Sequence, residues 1–243
     1  MHVQLFITCL VDSIHPQIGQ ATIDLLERLN VSVKFPSGQT CCGQPAYNAG
    51  YHNEAKPVAK RFLDTFALTD GPIVTPSGSC AAMIKHGFPD LFRNDQYNLT
   101  RAQEIAERTY ELSQFIVHVL AVTNVGAYFD GSLTYHPSCH LLRGLGERTA
   151  PLQLLKEVEG AKLVPLPGAD ECCGFGGLFS IKMSSLSAAI ATRKTSNITT
   201  SGASTCVTCD AGCLMNINGH IARNGQTEKC VHLAEILAGQ DKL

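Results

Sequence analysis

The chain has 243 residues, 44% of them apolar, which is enough to bury a core without cross-links, and its net charge of -2 leaves no basic field for a phosphate backbone. Nucleic acid is excluded as a partner on that ground. Charged residues make up only 16%, a low share, so part of the surface is expected to lie beneath a partner.

The apolar run Val3–Leu10 has no Lys or Arg before it and does not read as an export signal; no stretch reaches the roughly 18 apolar residues that a membrane span needs. A soluble, cytoplasmic protein with no transmembrane segment is expected. Eleven cysteines, an odd number containing two adjacent pairs, argue against disulfides in a reducing compartment. Metal binding or thiol redox chemistry is left.

In chain order, Val3–Thr8 reads as a buried strand and ends at Cys9. Ile14–Leu29 places Ile18, Ala21, Leu25 and Leu29 on one helical face, and Val31–Phe35 reads as a second strand. Cys41-Cys42-Gly43 follows. In the helical segment Asn53–Phe66, Pro57 should start or kink the helix. A strand at Pro72–Thr75 leads into Pro76-Ser77-Gly78-Ser79-Cys80. Phe88–Thr123 reads as mainly helical, with Ile105, Leu112, Ile116 and Val119 on one face, and Gly126–Gly131 as a hinge.

The same order then recurs. Ser132–His136 reads as a strand before Cys139, Pro151–Val158 as a helix opened by its proline, and Lys162–Leu166 as a strand before Cys172-Cys173-Gly174. A further strand near Ser204–Thr208 leads through Thr205-Cys206-Val207-Thr208-Cys209 into a helical stretch. Between the lone cysteine and the pair lie 31 residues (10 to 40) in one copy and 32 (140 to 171) in the other. The expected fold class is therefore α/β, with two pseudo-symmetric parallel-sheet halves: residues 1–125, with a helical connector, and residues 126–243. Parallel strands joined by right-handed crossovers put their carboxyl ends on one edge, so the cysteine motifs should converge there.

Thiolates are soft ligands that select iron–sulfur centres, zinc or copper(I). Five thiols of the second half, Cys139, Cys172, Cys173, Cys206 and Cys209, exceed what tetrahedral zinc takes; a multi-iron cluster accommodates adjacent cysteines more easily. Gly174 and Gly176, in Cys172-Cys173-Gly174-Phe175-Gly176-Gly177, permit close backbone approach and amide hydrogen bonds to cluster sulfur. Ser77 is matched to Cys206, so the first site would have Cys9, Cys41, Cys42 and Cys80 for an ordinary four-iron cluster, a zinc ion or nothing. Cys213 reads as a spare ligand or core filler and Cys230 as a buried small apolar residue. His136, His140 and His232 read as hydrogen-bonding neighbours of the sites rather than ligands, and Arg143 as a solvated helix residue.

The doubled pattern of lone Cys, CCG and terminal C-x-x-C resembles the cysteine-rich CCG domain shared by heterodisulfide reductases and the iron–sulfur subunits of glycolate oxidase. Ser138-Cys139-His140-Leu141-Leu142-Arg143-Gly144-Leu145-Gly146, Cys213-Leu214-Met215-Asn216-Ile217 and His232-Leu233-Ala234-Glu235 are similar to the stand-alone lactate-utilisation protein A type of that family. The resemblance implies an iron–sulfur electron-transfer subunit that works with other iron–sulfur subunits in a system oxidising L-lactate to pyruvate. It also implies a [4Fe-4S] cluster on the second half. Two other readings stand beside it: a cluster-based thiol or disulfide reductase subunit, and a zinc-bound structural or assembly protein.

Overall fold

The computed structural model describes residues 1–240. Eight short strands form two sheets: β1 (His2–Leu5), β2 (Ser32–Lys34), β3 (Ile73–Thr75) and β4 (Thr109–Glu111) in the first, and β5 (Tyr128–His136), β6 (Glu159–Leu163), β7 (Thr205–Thr208) and β8 (Lys229–His232) in the second. Their orders, β2-β1-β3-β4 and β6-β5-β7-β8, are the same, and every pairing is parallel. Such strands are covered on both faces and need continuous apolar runs rather than alternation. All of β3 and β7 is buried accordingly.

The helix Pro16–Arg28 starts on a proline whose missing N–H would be unpaired there in any case. It buries Ile18, Thr22, Leu25 and Leu26, and stops where Asn30 turns left-handed (φ 58°) and the Val31 N–H returns to the Leu26 carbonyl. The helix Leu233–Ala238 crosses back from the second half and packs on it, and Arg28 donates to the Ala238 carbonyl at 3.1 Å. The larger hydrophobic core accordingly takes Val3, Leu25 and Phe115 from one half and Leu133, Ile217 and Leu237 from the other. A second core lies wholly in the first half, around Phe6, Phe62, Phe66 and Phe88.

Four local expectations are corrected. The helix His52–Phe66 runs through Pro57, which faces solvent; the one hydrogen bond lost there would have gone to the exposed Asn53 carbonyl, which water can serve. The segment expected as a hinge is largely strand, since β5 begins at Tyr128 and takes a register shift between Tyr128 and Gly131. β6 ends at Leu163, three residues earlier than the pattern suggested, because its burial is only partial along its length. Within the helical connector, Thr109–Glu111 forms the edge strand β4, too short to carry a period of its own. Among the described residues no helix is long and apolar enough to cross a membrane.

Candidate metal centre

Cysteines gather at the carboxyl ends of the strands in both halves. In the first, Cys9 follows β1, Cys41 and Cys42 follow β2, and Cys80 sits in the helix Gly78–Ala82 after β3. The Sγ atoms of Cys9 and Cys41 lie 3.5 Å apart and those of Cys42 and Cys80 lie 3.3 Å apart. In the second, Cys173 and Cys213 bring their Sγ atoms to 3.2 Å, and Cys139 and Cys172 interact directly.

The glycine after each pair has a definite task. Gly43 (φ 81°) and Gly174 (φ 89°) are left-handed, and this turn points the Gly43 N–H at Cys41 Sγ (3.3 Å) and the Gly174 N–H at Cys172 Sγ (3.2 Å). A side chain at 174 would also meet the Ser187 carbonyl, 2.7 Å from the Cβ position. The C-C-G motif is thus a device that aims an amide at the first sulfur of the pair. Gly176 (φ 54°) is left-handed too and lines the cleft described below.

Strand register corrects the matching of the two copies. Tyr135 pairs with Val207 as Leu5 pairs with Val74, so Cys206 corresponds to Ile73, Asp210 to Ser77 and Cys213 to Cys80. Ser77 and Asp210 both cap the helix that follows, accepting from Cys80 N–H and Gly212 N–H respectively. Cys206 lies inside β7 opposite Cys230 of β8, and Cys209 is buried with its Sγ 3.6 Å from the Tyr135 hydroxyl. The fourth sulfur of the second set is therefore that of Cys213, not Cys206 or Cys209. Spacing alone could not decide it: 37 residues (43 to 79) separate Cys42 from Cys80, against 39 (174 to 212) from Cys173 to Cys213 and 35 (174 to 208) to Cys209, two away in either direction, so strand register makes the assignment.

Both sets open onto one cleft of about 250 Å³, lined by all eight of these cysteines. The halves touch beside it. Gly78 packs so closely on Leu141 that a Cβ would come within 2.7 Å of the leucine Cβ, and the Gly78 N–H donates to the Cys209 carbonyl. The Asp210 carboxylate accepts the Ser79 N–H (2.8 Å) and the Ser77 hydroxyl (3.3 Å), so a cap of one half is shared with the other. Across the cleft Gln44 Nε2 meets His140 Nε2 at 3.1 Å, while His140 Nδ1 is 3.7 Å from Cys139 Sγ.

Each half holds one cysteine ready as thiolate. Hydrogen bonds from Cys42 and Cys9, aided by the Gly43 amide, bring Cys41 down to about 3; those from Cys139 and Cys173, with the Gly174 amide, bring Cys172 down to about 2. Their partners Cys9, Cys42, Cys139 and Cys173 are pushed up, chiefly by giving those hydrogen bonds and then by burial. At Cys213 the bond with Cys173 pulls down, but burial and the Asp210 carboxylate outweigh it. Thiolate is the ligand form, so each half begins with one anionic sulfur and gains more only as metal displaces protons.

One group that sequence reasoning passed over, Lys194, shapes the second set. Lys194 is fully buried and donates from Nζ to the Gly168 carbonyl (2.7 Å), pinning the loop that leads to Cys172; burial lowers its pKa, opposed by Cys206. No periodic signal marks it. Arg143 is exposed, as expected of a solvated helix residue, and donates to the Asp170 carbonyl of the same loop at 3.1 Å. His136 is buried, and burial followed by the charge of Lys194 brings it down to about 3. One of its ring nitrogens and the sulfurs of Cys173 and Cys213 all lie within 4.8 Å of one another. His232 instead caps the start of the helix Leu233–Ala238, accepting the Ala234 N–H on Nδ1.

These features fit a soft metal centre. The donor set is sulfur in two clusters, two amides already face sulfur, and a buried imidazole lies beside Cys173 and Cys213.

The family model of a cysteine-rich domain, CCG, matches residues 3–85 and 133–218. The chain is similar to lactate utilization protein A of Macrococcus caseolyticus (52% identical, covering 99% of this chain and 97% of the relative) and of Geobacillus kaustophilus (50%, covering 98% of each). It is likewise similar to that of Halalkalibacterium halodurans (48% identical, covering 100% of this chain and 98% of the relative).

Proposed function

This chain belongs to the cysteine-rich CCG domain family, in the group of lactate utilization A proteins, and on that premise we propose that it is the iron–sulfur electron-transfer subunit of a cytoplasmic complex oxidising L-lactate to pyruvate. The observation that carries the proposal is the meeting of two four-cysteine sets on one cleft. In this reading Cys9, Cys41, Cys42 and Cys80 hold one centre and Cys139, Cys172, Cys173 and Cys213 the other. A bound iron–sulfur cluster, a [4Fe-4S] one in the second half, supplies one-electron chemistry.

The chain's own residues do the rest. Cys41 and Cys172 enter as thiolates and seed each site. The Gly43 and Gly174 amides, hydrogen-bonded to those sulfurs, make them less electron-rich and raise the potential of whatever they bind. Cys42, Cys80, Cys173 and Cys213 are buried and keep water from the inner side, while Cys9, Cys41, Cys139 and Cys172 are partly exposed and form the side open to exchange. Other iron–sulfur subunits of the complex would meet the chain on that open side.

Disrupting the gene should abolish growth on L-lactate and spare growth on glucose. Wild-type chain should restore it; Cys42→Ala and Cys173→Ala, present at wild-type abundance, should not. Restoration by both variants would overturn the proposal.

The cleft itself favours a second reading, a cluster-based disulfide reductase, because it leaves room for a small molecule between the two sets. Oxidation of the anaerobically reduced chain by low-molecular-weight disulfides, at a rate that saturates with disulfide, would support this reading. Absence of such oxidation leaves electron transfer.

A further inference from the structure

His136 ends β5, three residues before Cys139, and is 1% exposed. Neither ring nitrogen has a hydrogen-bond partner of good geometry; the Ala169 backbone comes near the ring without completing a bond. Buried polar groups are paired in native folds, and an imidazole left without a well-formed partner on either nitrogen calls for one. On its sulfur side stand Cys173 and Cys213, grouped with it inside 4.8 Å.

The first half answers a different need at the same place. The register that equates Leu5 with Tyr135 equates Phe6 with His136. Phe6 sits edge-on to Phe62, ring centroids 4.8 Å apart, and closes the floor of its site with an aromatic core. In the second half that floor carries a nitrogen donor. A core position changed from phenyl to imidazole gains nothing for packing and leaves two polar atoms to satisfy.

We propose that His136 is a nitrogen ligand of the second-half metal centre, which is thereby a mixed cysteine–histidine site, whereas the first-half centre is held by cysteine alone. The inference rests on the reading that these cysteines hold metal. Neutral imidazole beside thiolates is an established donor set for zinc and for iron, and here it would add a neutral donor to the four sulfurs of the second half. The two centres are consequently unequal.

The test uses the full chain, reconstituted anaerobically with iron and sulfide, with ¹⁵N confined to histidine, reduced and studied by pulsed EPR. A histidine ¹⁵N coupling is expected in wild type, lost in His136→Gln and kept in His140→Gln. His136→Cys should restore a full second centre without nitrogen coupling and at a lower potential, which keeps the test informative if His136→Gln folds poorly. Two centres in wild type without histidine coupling would overturn this inference and leave the proposed function standing, as would a coupling that survives in His136→Gln. Failure of wild type to take up iron would overturn both.

Discussion

Cys206 and Cys213 sit in the same half and are both buried, yet only the second points its sulfur at the paired cysteines. Cys213→Ala should therefore lower the iron of the anaerobically reconstituted chain by about half, and Cys206→Ala should leave it unchanged, as read by iron and acid-labile sulfide per chain. The sequence carried the repeat but not this distinction. Two three-part cysteine spacings are legible without a structure, but the C-x-x-C of Cys206 and Cys209 straddles the end of β7 (Thr205–Thr208), and only pairing with β5 shows how the two copies match. Lys194 was illegible because its surroundings, the Gly168 and Ala169 carbonyls, come from a loop 25 or more residues away.

Glu111, fully buried at the end of β4, makes the clearest pH statement outside the site. Burial raises its pKa from 4.5 to about 7, against hydrogen bonds from Ser113 and Gln114. The folded chain thus binds this proton more tightly than the unfolded chain does. Its contribution to stability is fully present below about pH 4.5 and is lost as pH rises through about 7, a change on the order of 3 kcal/mol. Chemical denaturation of the metal-free, reduced Glu111→Gln chain should show a flatter stability profile across that window than wild type, and a greater stability than wild type above it.

At the scale of elements, the C-C-G turns separate two costs that a glycine can avoid. Gly43→Ala forces a left-handed alanine but meets nothing closer than 3.5 Å, whereas Gly174→Ala adds a clash with the Ser187 carbonyl at 2.7 Å. The first should lower stability by about 1 kcal/mol and the second by about 2 kcal/mol more. Thermal unfolding of the metal-free chains, followed by far-UV circular dichroism, measures both; equal losses would mean that the helix Ser184–Ser201 gives way freely. Elements with a long period were legible, as in the helix Pro16–Arg28, and so were the buried runs of β1, β3 and β7. The edge strand β2 was legible too, but β4 and the bounds of β6 were not. β4 and β6 carry mixed or partial burial, so their extent is set by the neighbour already in place.

On the scale of the whole molecule, duplication announced two parallel sheets but said nothing of how they face each other. That relation rests on long-range details: Gly78 against Leu141, Asp210 capping its own helix while accepting from Ser77 and Ser79, and the helix Leu233–Ala238 laid on Pro16–Arg28. Together they turn both cysteine sets toward one cleft, so that two centres bound there would be close neighbours. The direct test is the EPR spectrum of the fully reduced, anaerobically reconstituted chain compared with those of Cys42→Ala and Cys173→Ala. Each variant should show a single simple signal from its remaining centre, and wild type should show a spectrum split and broadened by magnetic coupling between the two. A wild-type spectrum equal to the sum of the two variant spectra would contradict the shared cleft.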